Sequence, residues 1–378
     1  TKVQILANYL ISEGFRVTIA YYGTFSLHSE LNVPFWKLPL LVKPKIKRDS
    51  AFNISDCHAV GSYLPELEFT YSLPSKLWRG LVLESDLHFV VGGSIVLGNI
   101  LESFDIPYII WCASDVEGDR YDRQKTMRTP RKILDVAFIE PVLKRQETKV
   151  VMGRGRILSV SRFTKEKLQK RLITQKKDIG ILSIPTDMTF FVPPNKAPTI
   201  ARLGFAGRLG DPRKNIAMLL RVLQIVKEKG LSPELVLTGY PTKELKKIIG
   251  KLGIEHDITF MGFMDKTELC RFYQSLDIFL IPSFQEGLAI VGIEAMACGV
   301  PVISTKCGGP ESYIVDGKNG YLVDHTPHEM ASRVCQLVKD RNLRGKFSES
   351  ARASVEVAFS YNRFEASICQ EIRKIWLK

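Results

Sequence analysis

The chain has 378 residues, of which 45% are hydrophobic, and its formal net charge is +13. A chain of this length can bury two hydrophobic cores and is too long for one, which favours a large two-domain protein. The longest stretch without acidic or basic residues, Leu87–Leu101, is too short to cross a bilayer. The seven cysteines are scattered, with no CxxC and no His/Cys metal spacing, as is typical of reduced thiols in a cytoplasmic protein.

Apolar strands alternate with amphipathic helices through both halves of the chain, which predicts two parallel α/β layers. The chain begins with a helix followed by a strand. The clearest helix follows Asn215, where an apolar stripe runs to Val226 and Gly230 marks a plausible C-terminal stop. Strands are predicted near residues 15–21, 86–91, 107–112, 156–160 and 179–184, and near 201–206, 234–239, 258–261, 277–281, 300–304 and 320–323.

The segment between the two halves, Phe191–Thr199, contains three prolines and is typical of an interdomain linker. Beyond it, a strand ends at Gly207 and Arg208, and a short loop leads to Lys214 and the helix after Asn215. Further along, the sequence EGLAIVGIEAMACGVPV starts at Glu286. It places a second glutamate in an otherwise apolar helix and is followed by a Gly-Gly-x-x-Glu motif.

This order of motifs resembles the donor-binding segment of retaining nucleotide-sugar glycosyltransferases of the GT-B fold, of the glycosyltransferase family 4 (group 1) type. The likeness is detailed from about Ile200 to Val323 and looser in the first half. It implies an α/β fold of two Rossmann-like domains that face each other across a donor/acceptor cleft. The implied domains are an acceptor domain at 1–190, a donor domain at 200–355, and a C-terminal helix at 356–378 that crosses back onto the first domain.

The family normally begins with a strand and a glycine-rich loop, and only then reaches the helix with which this chain begins. We therefore expect the natural chain to be longer by about 10–20 residues, enough for one strand and one turn.

The chemistry of a nucleotide sugar explains why basic residues matter in such a site. Transfer leaves extra negative charge on the diphosphate, so preorganised positive charge aimed at that group is the largest available catalytic term. The resemblance implies that Arg208 and Lys214 hold the diphosphate, next to Gly207 and the helix start. The alternative is a solvated basic loop, and the adjacent Arg213 is expected to point elsewhere.

Two glutamates are the other expected site residues. A carboxylate that accepts two hydroxyl groups is the usual way to hold a ribose diol, and the resemblance gives this role to Glu294. Glu286 would bond hydroxyls of the transferred sugar, while Gly287 and the backbone of Leu288, Ala289 and Ile290 face the sugar and phosphates. Many family members read Gly-Phe-Gly here where this chain reads Gly-Leu-Ala, so the sugar contact could differ. The alternative for both glutamates is surface charge.

Other positions give weaker signals. Gly309 and Glu311 are expected to contact phosphate or sugar, with a plain tight turn as the alternative. Phe263 and Met264 are expected to border the nucleobase, and core packing is nearly as good an explanation for them. In the first domain, Ser114 and Asp115 stand where related enzymes often carry a histidine near the donor sugar, and they are the acceptor-side candidates. Asp115 is expected to orient an acceptor hydroxyl, and a structural loop role is as good an explanation for it. No metal-binding motif beyond a distant Asp-x-Glu echo of Asp-x-Asp is present, so no metal and no cofactor are expected.

The positive charge is concentrated in one segment. Residues 120–177 contain 18 basic and five acidic residues, an excess that equals the net charge of the whole chain. Because apolar residues are interleaved there, the segment suits anionic lipid headgroups or an acidic or lipid-linked acceptor. An ordinary solvated helical face explains it equally well. Nucleic acid is a poorer partner, since no nucleic-acid module accompanies the charge.

Together these features predict a retaining, metal-independent hexosyltransferase of carbohydrate biosynthesis. It would use a nucleoside-diphosphate sugar as co-substrate, in the cytoplasm or peripherally on the inner face of the membrane. Two alternatives stay open. The first is a hydrolysing UDP-sugar epimerase of the same fold, and the second is a catalytically silent nucleotide-sugar-binding subunit. The sequence does not identify the donor base and sugar, the acceptor, the linkage or the oligomeric state.

Overall fold

The structure, a computed structural model, describes residues 1–50, 52, 54, 56–171, 177–194 and 201–376. The chain divides into two compact units. Unit 1 comprises Thr1–Val160, Thr164–Leu182 and the chain from Cys369 onwards, and unit 2 comprises Ser161–Phe163 and Ser183–Ile368. The predicted start of the second domain at residue 200, and most of the predicted linker, lie outside the described residues.

The described strands of unit 1 form two sheets. The elements of unit 1 are α1 (Lys2–Ser12), β1 (Ile19–Tyr22), β2 (Ile46–Asp49), β3 (Cys57–Val60), α2 (Lys76–Leu83), β4 (Phe89–Gly92), α3 (Gly98–Ser103), β5 (Ile109–Cys112), α4 (Val116–Thr126), α5 (Thr129–Leu134), α6 (Glu140–Met152), β6 (Arg156–Ser159), α7 (Arg162–Gln169, whose first two residues belong to unit 2) and β7 (Gly180–Ile181). A 3₁₀ helix spans Phe35–Leu40 and a π-helical turn spans Asp135–Ile139.

The larger sheet of unit 1 is parallel, with the strand order β4-β5-β6-β7. All four residues of β5 are buried, as expected for a central parallel strand covered on both faces. In the smaller sheet, β3 pairs in parallel with β1 and antiparallel with β2. The sequence predicted neither β2 nor β3. The reason is clearest for β2, whose residues IKRD are short and charged and lack an apolar pattern.

Unit 2 is built on one six-stranded sheet. Its elements are β8 (Arg202–Phe205), α8 (Ile216–Glu228), β9 (Glu234–Leu237), α9 (Lys243–Leu252), β10 (Ile258–Phe260), α10 (Lys266–Gln274), β11 (Ile278–Ile281), α11 (Ile290–Ala297), β12 (Val302–Thr305), β13 (Gly320–Val323), α12 (Pro327–Lys339), α13 (Arg341–Ala358) and α14 (Tyr361–Trp376). The order is β10-β9-β8-β11-β12-β13, and every pair of neighbours is parallel. This is the doubly wound arrangement, in which the order of the strands in the sheet reverses between β8 and β11, the first and fourth strands of the unit.

The core of unit 2 explains why these segments fold as they do. The predicted apolar stripe of α8 is confirmed, with Leu219, Leu223 and Val226 fully buried against the sheet. The helix stops just before Gly230, which takes a left-handed conformation with φ +78°. Strands β11 and β12 are entirely buried, because helices cover both faces of the sheet.

Helix α14 contributes to both units, since the division falls between Ile368 and Cys369. Within unit 1, the Arg156 guanidinium makes two hydrogen bonds to the Glu371 carboxylate, at 2.6 Å and 3.1 Å. The return of the C-terminal helix to the first domain, which the family resemblance implied, therefore has a specific ionic anchor. Among the described residues, no helix is both long enough and apolar enough to span a bilayer.

Helix α11 begins in an unusual way. The residue before it, Ala289, has a left-handed backbone with φ +58°, a conformation that costs a residue with a Cβ about 1–2 kcal/mol. Hydrogen bonds to its carbonyl from the Gly292 amide (2.9 Å) and the Tyr313 hydroxyl (3.1 Å) hold it there. This is the position where the sequence departs from the glycine that many family members carry.

Replacing Ala289 by glycine is therefore expected to stabilise unit 2, by up to about 1 kcal/mol after the extra freedom of glycine in the unfolded chain is subtracted. Ala295→Gly, at a fully buried position inside the same helix, is expected to destabilise it by about 1 kcal/mol or more. Urea unfolding of the two variants measures both effects. A loss of stability in Ala289→Gly would contradict the strained conformation.

A buried carboxyl group in unit 1 predicts a pH dependence. Glu147 is fully buried, and burial raises its pKa to about 7 from an ordinary value of 4.5. Its carboxylate accepts the Val116 amide at 2.8 Å and lies 3.5 Å from the Arg171 guanidinium. Between pH 4.5 and 7 the folded state therefore binds a proton that the unfolded state has released.

We expect the free energy of unfolding to fall as pH rises through this window. The contribution of Glu147 to that fall is about 3 kcal/mol. The variant Glu147→Gln, which carries no charge, is expected to lose that part of the pH dependence. Glu84→Gln, at an exposed position of the same unit, serves as the control. Urea unfolding at pH 5 and pH 8 measures the difference, and identical pH profiles for wild type and Glu147→Gln would rule this interpretation out.

Candidate active site

The site residues lie where the strands of unit 2 end. Because all six strands are parallel, their carboxyl ends share one edge of the sheet. In open α/β sheets ligands bind at that edge, next to the point where the strand order reverses. Here the reversal lies between β8 and β11. Gly207 and Arg208 follow β8, and Ser283 and Glu286 follow β11.

A direct ion pair joins the two sides of this reversal point. The Lys214 ammonium lies 2.6 Å from Oε1 of Glu286, and both side chains are largely buried. The Ser283 hydroxyl donates to the same oxygen at 2.8 Å. Lys214 reaches it from a 3₁₀ turn, Pro212–Lys214, which ends at Asn215 in a left-handed conformation. The structure thus places together a cation and a carboxylate that the sequence assigned to different parts of a ligand.

The other basic residues of this loop differ in accessibility. Arg208 is 77% exposed and meets Oδ2 of Asp211 at 3.2 Å. Arg213 instead makes two hydrogen bonds to Asp211, at 3.1 Å and 2.8 Å. Its side chain is thus turned toward Asp211 within the loop. Arg208 extends into solvent, so it can turn toward an anion at the strand ends.

The loop that carries Glu286 is fixed by its backbone. The Glu286 amide donates to Cys307 and its carbonyl accepts the Gly309 amide, both at 2.8 Å. A Cβ on Gly309 would come within 2.5 Å of the Leu288 backbone, so only glycine allows this approach. The Ser161 hydroxyl, from the short segment 161–163 of unit 2, donates to the Gly287 carbonyl at 2.6 Å.

The start of α11 offers hydrogen-bond donors next to this carboxylate. Across the described residues, no hydrogen bond uses the amide groups of Leu288, Ala289 or Ile290. The first amides of a helix lack intrahelical partners, and the helix dipole adds positive potential. An anion at this position would therefore meet backbone donors as well as the ammonium of Lys214.

Glu294 lies one turn further along α11. Its Oε2 accepts the Tyr273 hydroxyl at 2.8 Å. Burial raises the pKa of Glu294 to about 7, although the hydrogen bond from Tyr273 opposes that rise. Burial and the neighbouring Glu294 together raise the pKa of the Tyr273 hydroxyl well above its ordinary value, so Tyr273 remains a donor at neutral pH. The tyrosine orients one carboxylate oxygen and leaves the carboxylate able to accept further hydroxyl groups.

The weaker predictions receive mixed support. Glu311 accepts the Gly308 amide at 2.7 Å, a contact that a plain turn also explains. Phe263 is 83% exposed, which rules out the core-packing alternative for its side chain, and its ring makes a T-shaped contact with Tyr240 at 5.5 Å. Met264 beside it is partly exposed.

The two acceptor-side predictions fall in unit 1. The Ser114 amide donates to Gly93 at 2.8 Å, as part of the turn after β5. Asp115 is only 4% exposed and lies 3.8 Å from Lys167 and 3.9 Å from Arg171. A buried carboxylate within an ionic cluster fits the structural alternative for Asp115 better than contact with a substrate. Over the ranges that the structure describes, His, Cys, Asp and Glu side chains form no group of three that could ligate a metal.

Three site residues were not foreseen from the sequence: Ser161, Tyr273 and Ser283. Ser283 had a signal, since it directly follows the Pro after a buried strand at the ligand-binding edge. Ser161 and Tyr273 act through partners that lie 126 and 21 residues away in the chain. Neither contact corresponds to a fixed sequence spacing that a motif could show.

A family comparison agrees with this geometry. Residues 189–354 match the family model described as glycosyl transferases group 1. The matched segment starts before β8 and ends within α13, so it contains every candidate site residue of unit 2 except Ser161.

The curated relatives are also glycosyltransferases by name. The D-inositol 3-phosphate glycosyltransferase of Arthrobacter sp. (strain FB24) is 26% identical over 260 residues, which cover 64% of this chain and 61% of that protein. D-inositol 3-phosphate glycosyltransferase 2 of Catenulispora acidiphila is 33% identical over 166 residues, which cover 41% and 39%. The chain thus spans about three fifths of the length of the Arthrobacter protein and about two fifths of the length of the Catenulispora protein.

Solved structures share the whole fold. Sucrose-phosphate synthase from Thermosynechococcus elongatus superposes with a TM-score of 0.72 at 17% identity, covering 98% of this chain and 92% of that one. Anabaena Alr3699/HepE, solved in complex with UDP, gives 0.67 at 15% identity, covering 95% and 100%. The fold of the chain is GT-B, and residues 189–354, within its second unit, are similar to the group 1 glycosyl transferases.

Proposed function

We propose that the chain is a retaining, metal-independent glycosyltransferase that moves a hexosyl group from a nucleoside-diphosphate sugar to an acceptor hydroxyl. The observation that carries the proposal is the Lys214–Glu286 pair, which lies at the strand ends beside the open amides of α11. A cation, a carboxylate and backbone donors in one place are what a diphosphate and an adjoining sugar require.

In the proposed step, the bond between the sugar C1 and the diphosphate oxygen breaks and a bond to the acceptor oxygen forms on the same face. The acceptor proton passes to the leaving diphosphate, so no protein nucleophile is needed. Lys214, Arg208 and the α11 amides stabilise the charge that develops on that diphosphate. Glu286, already held by Ser283, accepts hydroxyl groups of the sugar and fixes its position.

Glu294 is proposed to hold the ribose diol. Its carboxylate is oriented by Tyr273, so the cost of fixing the side chain is met before the ligand binds. Contact with the ribose is the same before and during the reaction, which makes this a binding contact rather than a catalytic one.

The comparisons support a nucleotide sugar as the donor class, because HepE was solved with UDP and with UDP-glucose. The curated relatives are named for D-inositol 3-phosphate, a phosphorylated polyol, which supports an anionic acceptor. A panel of labelled nucleotide sugars separates the alternatives. A transferase needs an acceptor, an epimerase acts on the donor alone, and a silent subunit binds the donor and leaves it unchanged.

An acidic acceptor or anionic membrane at residues 120–177 also remains a proposal, and the structure refines it. Much of the positive charge in this segment is neutralised within unit 1. Arg120 is almost fully buried between Glu68 and Asp135, and Arg131 lies 3.6 Å from Glu68. Arg128 and Lys132 remain exposed, and Lys132 directly precedes the exposed apolar side chain of Ile133.

Removing the ammonium of Lys214 is expected to lower turnover at least about 10²-fold, as the loss of one oxyanion donor does elsewhere. Because Lys214→Gln also leaves Glu286 without its cation, the double variant Lys214→Gln/Glu286→Gln is needed. We expect the double variant to remain at least about 10²-fold impaired, since neither glutamine supplies charge to the diphosphate. Arg221→Gln, on the exposed face of α8, is the matched control. Turnover of wild type and variants is measured in steady-state assays, once the donor and acceptor have been identified.

Recovery of turnover in the double variant would assign Lys214 a purely structural role. In the same assays activity is expected to survive EDTA, and loss of activity that a divalent ion restores would contradict the metal-independent mechanism.

Nucleotide affinity is expected to fall at least tenfold in Glu294→Ala, with a smaller fall in Tyr273→Phe, because the carboxylate loses only its orienting donor there. Wild-type affinity should also weaken as pH falls below about 7, where Glu294 becomes protonated. The variant Glu294→Gln removes the contribution of Glu294 to the pH dependence of affinity. The contribution from ionisation of the nucleotide phosphates stays the same in wild type and variant. Titration calorimetry with the nucleoside diphosphate from pH 6 to pH 8 measures the difference. Equal affinity in wild type and Glu294→Ala would exclude Glu294 from the site.

A further inference from the structure

One surface of unit 1 has no role in the proposed chemistry. The segment 35–42, which we name the apolar loop, exposes six large apolar side chains in a run of eight residues. Exposure rises to 68% at Leu40 and 87% at Leu41. Isolated apolar residues are common on protein surfaces, but a contiguous exposed set marks an interaction site. Its members are Phe35, Trp36, Leu38, Leu40, Leu41 and Val42.

The apolar loop is a built feature with a fixed base. The Val33 amide donates to Ser62 at 3.0 Å and the Lys45 amide donates to Leu31 at 3.0 Å, so both ends are tied to the body of unit 1. Between them a 3₁₀ helix, Phe35–Leu40, presents its side chains outward, and none of its residues is buried. At the tip Leu41 takes a left-handed backbone with φ +52°. A bulky residue in that conformation is strained, and strained residues are enriched at binding and active sites.

Basic residues cluster around the apolar loop in the sequence. The segment from Leu31 to Arg48 contains five basic residues and no acidic residue. Two of the five meet carboxylates, since Lys47 lies 3.5 Å from Glu30 and Arg48 lies 3.9 Å from Asp56. Of the other three, Lys37 lies within the apolar loop, Lys43 directly follows Val42 and Lys45 lies two residues further along.

A second exposed apolar segment adjoins the first. Ile133, Val136 and Phe138, on α5 and the π-helical turn, are between 48% and 63% exposed, beside Lys132. Glu66 connects the two segments. Its carboxylate accepts the Phe35 amide at 3.3 Å, and its carbonyl accepts the Arg131 guanidinium at 2.8 Å.

We propose that unit 1 docks on an anionic lipid bilayer by inserting the apolar loop at the level of the headgroups. The chemistry matches such a surface: tryptophan and phenylalanine favour the membrane interface, leucines enter the acyl region, and flanking lysines attract anionic headgroups. Long lysine side chains can also reach back to the headgroups while their stems lie against lipid. A protein partner would have to supply a pocket for a protruding leucine, whereas a bilayer adapts to it.

This proposal does not rest on the proposed sugar transfer, because vesicle binding is measured without donor or acceptor. Co-sedimentation compares neutral phosphatidylcholine vesicles with vesicles containing about one third phosphatidylglycerol, at low and high salt. We expect preference for the anionic vesicles, weakening as salt rises, with each lysine contributing about fivefold. Leu40→Ser/Leu41→Asn is expected to lower binding at least tenfold. Asparagine tolerates the left-handed backbone, so the variant should fold normally.

Two controls test the location of binding. Leu83→Ser and Val357→Ser remove equally exposed apolar side chains elsewhere and should stay within twofold of wild type. Trp36 reports insertion directly, since brominated lipids quench an inserted tryptophan. The difference between wild type and Trp36→Phe isolates its signal from Trp78, Trp111 and Trp376. We expect the quenchable component to be absent from Trp36→Phe.

Wild type that ignores anionic vesicles at low salt would overturn the proposal, as would undiminished binding by Leu40→Ser/Leu41→Asn. Analytical ultracentrifugation tests whether a second copy of this chain binds the apolar loop instead. Self-association that Leu40→Ser/Leu41→Asn abolishes, without vesicle binding, would assign the loop to a protein interface and likewise overturn the proposal.

Discussion

The ion pair between Lys214 and Glu286 is the interaction on which the candidate site depends. It crosses the point where the strand order of unit 2 reverses, so it joins the loop after β8 to the loop after β11. Once an ion pair between a lysine and a carboxylate has formed largely out of contact with water, separating the two charges is costly. A ligand that binds here gains most if it keeps both charges satisfied, with an anionic group on the ammonium and hydroxyl groups on the carboxylate. A sugar joined to a diphosphate carries both kinds of group in adjacent positions.

Backbone contacts support that pair and make the site rigid before a ligand arrives. Glu286 exchanges two hydrogen bonds with the segment after β12, and Gly309 allows the backbones to approach closely. Catalysis by electrostatic stabilisation requires such preorganisation, because charges that must reorient during the reaction lose part of their effect. The hydrogen bond from Tyr273 to Glu294 serves the same purpose at the proposed ribose contact.

The sequence predicted unit 2 well because its signals are local. The strands of its sheet, the α8 stripe and the strand-end positions of Arg208, Lys214 and Glu286 follow from patterns a few residues long. Contacts between distant segments, such as Ser161 with Gly287, leave no such pattern. Unit 1 was predicted less completely, because β2 is short and charged. Its excess of positive charge was visible in the sequence, but the pairing of Arg120 with Glu68 and Asp135 required the fold.

The segment Ser161–Phe163 has a consequence for how the protein can be dissected. These residues precede the rest of unit 2 by twenty positions in the chain, yet they belong to its compact body. Phe163 packs so close to Gly308 that a Cβ there would come within 2.6 Å of its ring. A fragment that starts at Ser183 would therefore lack both this ring and the hydroxyl that holds the Gly287 carbonyl. Such a fragment could retain the six-stranded sheet, yet the loop that carries Glu286 would have lost two of its supports.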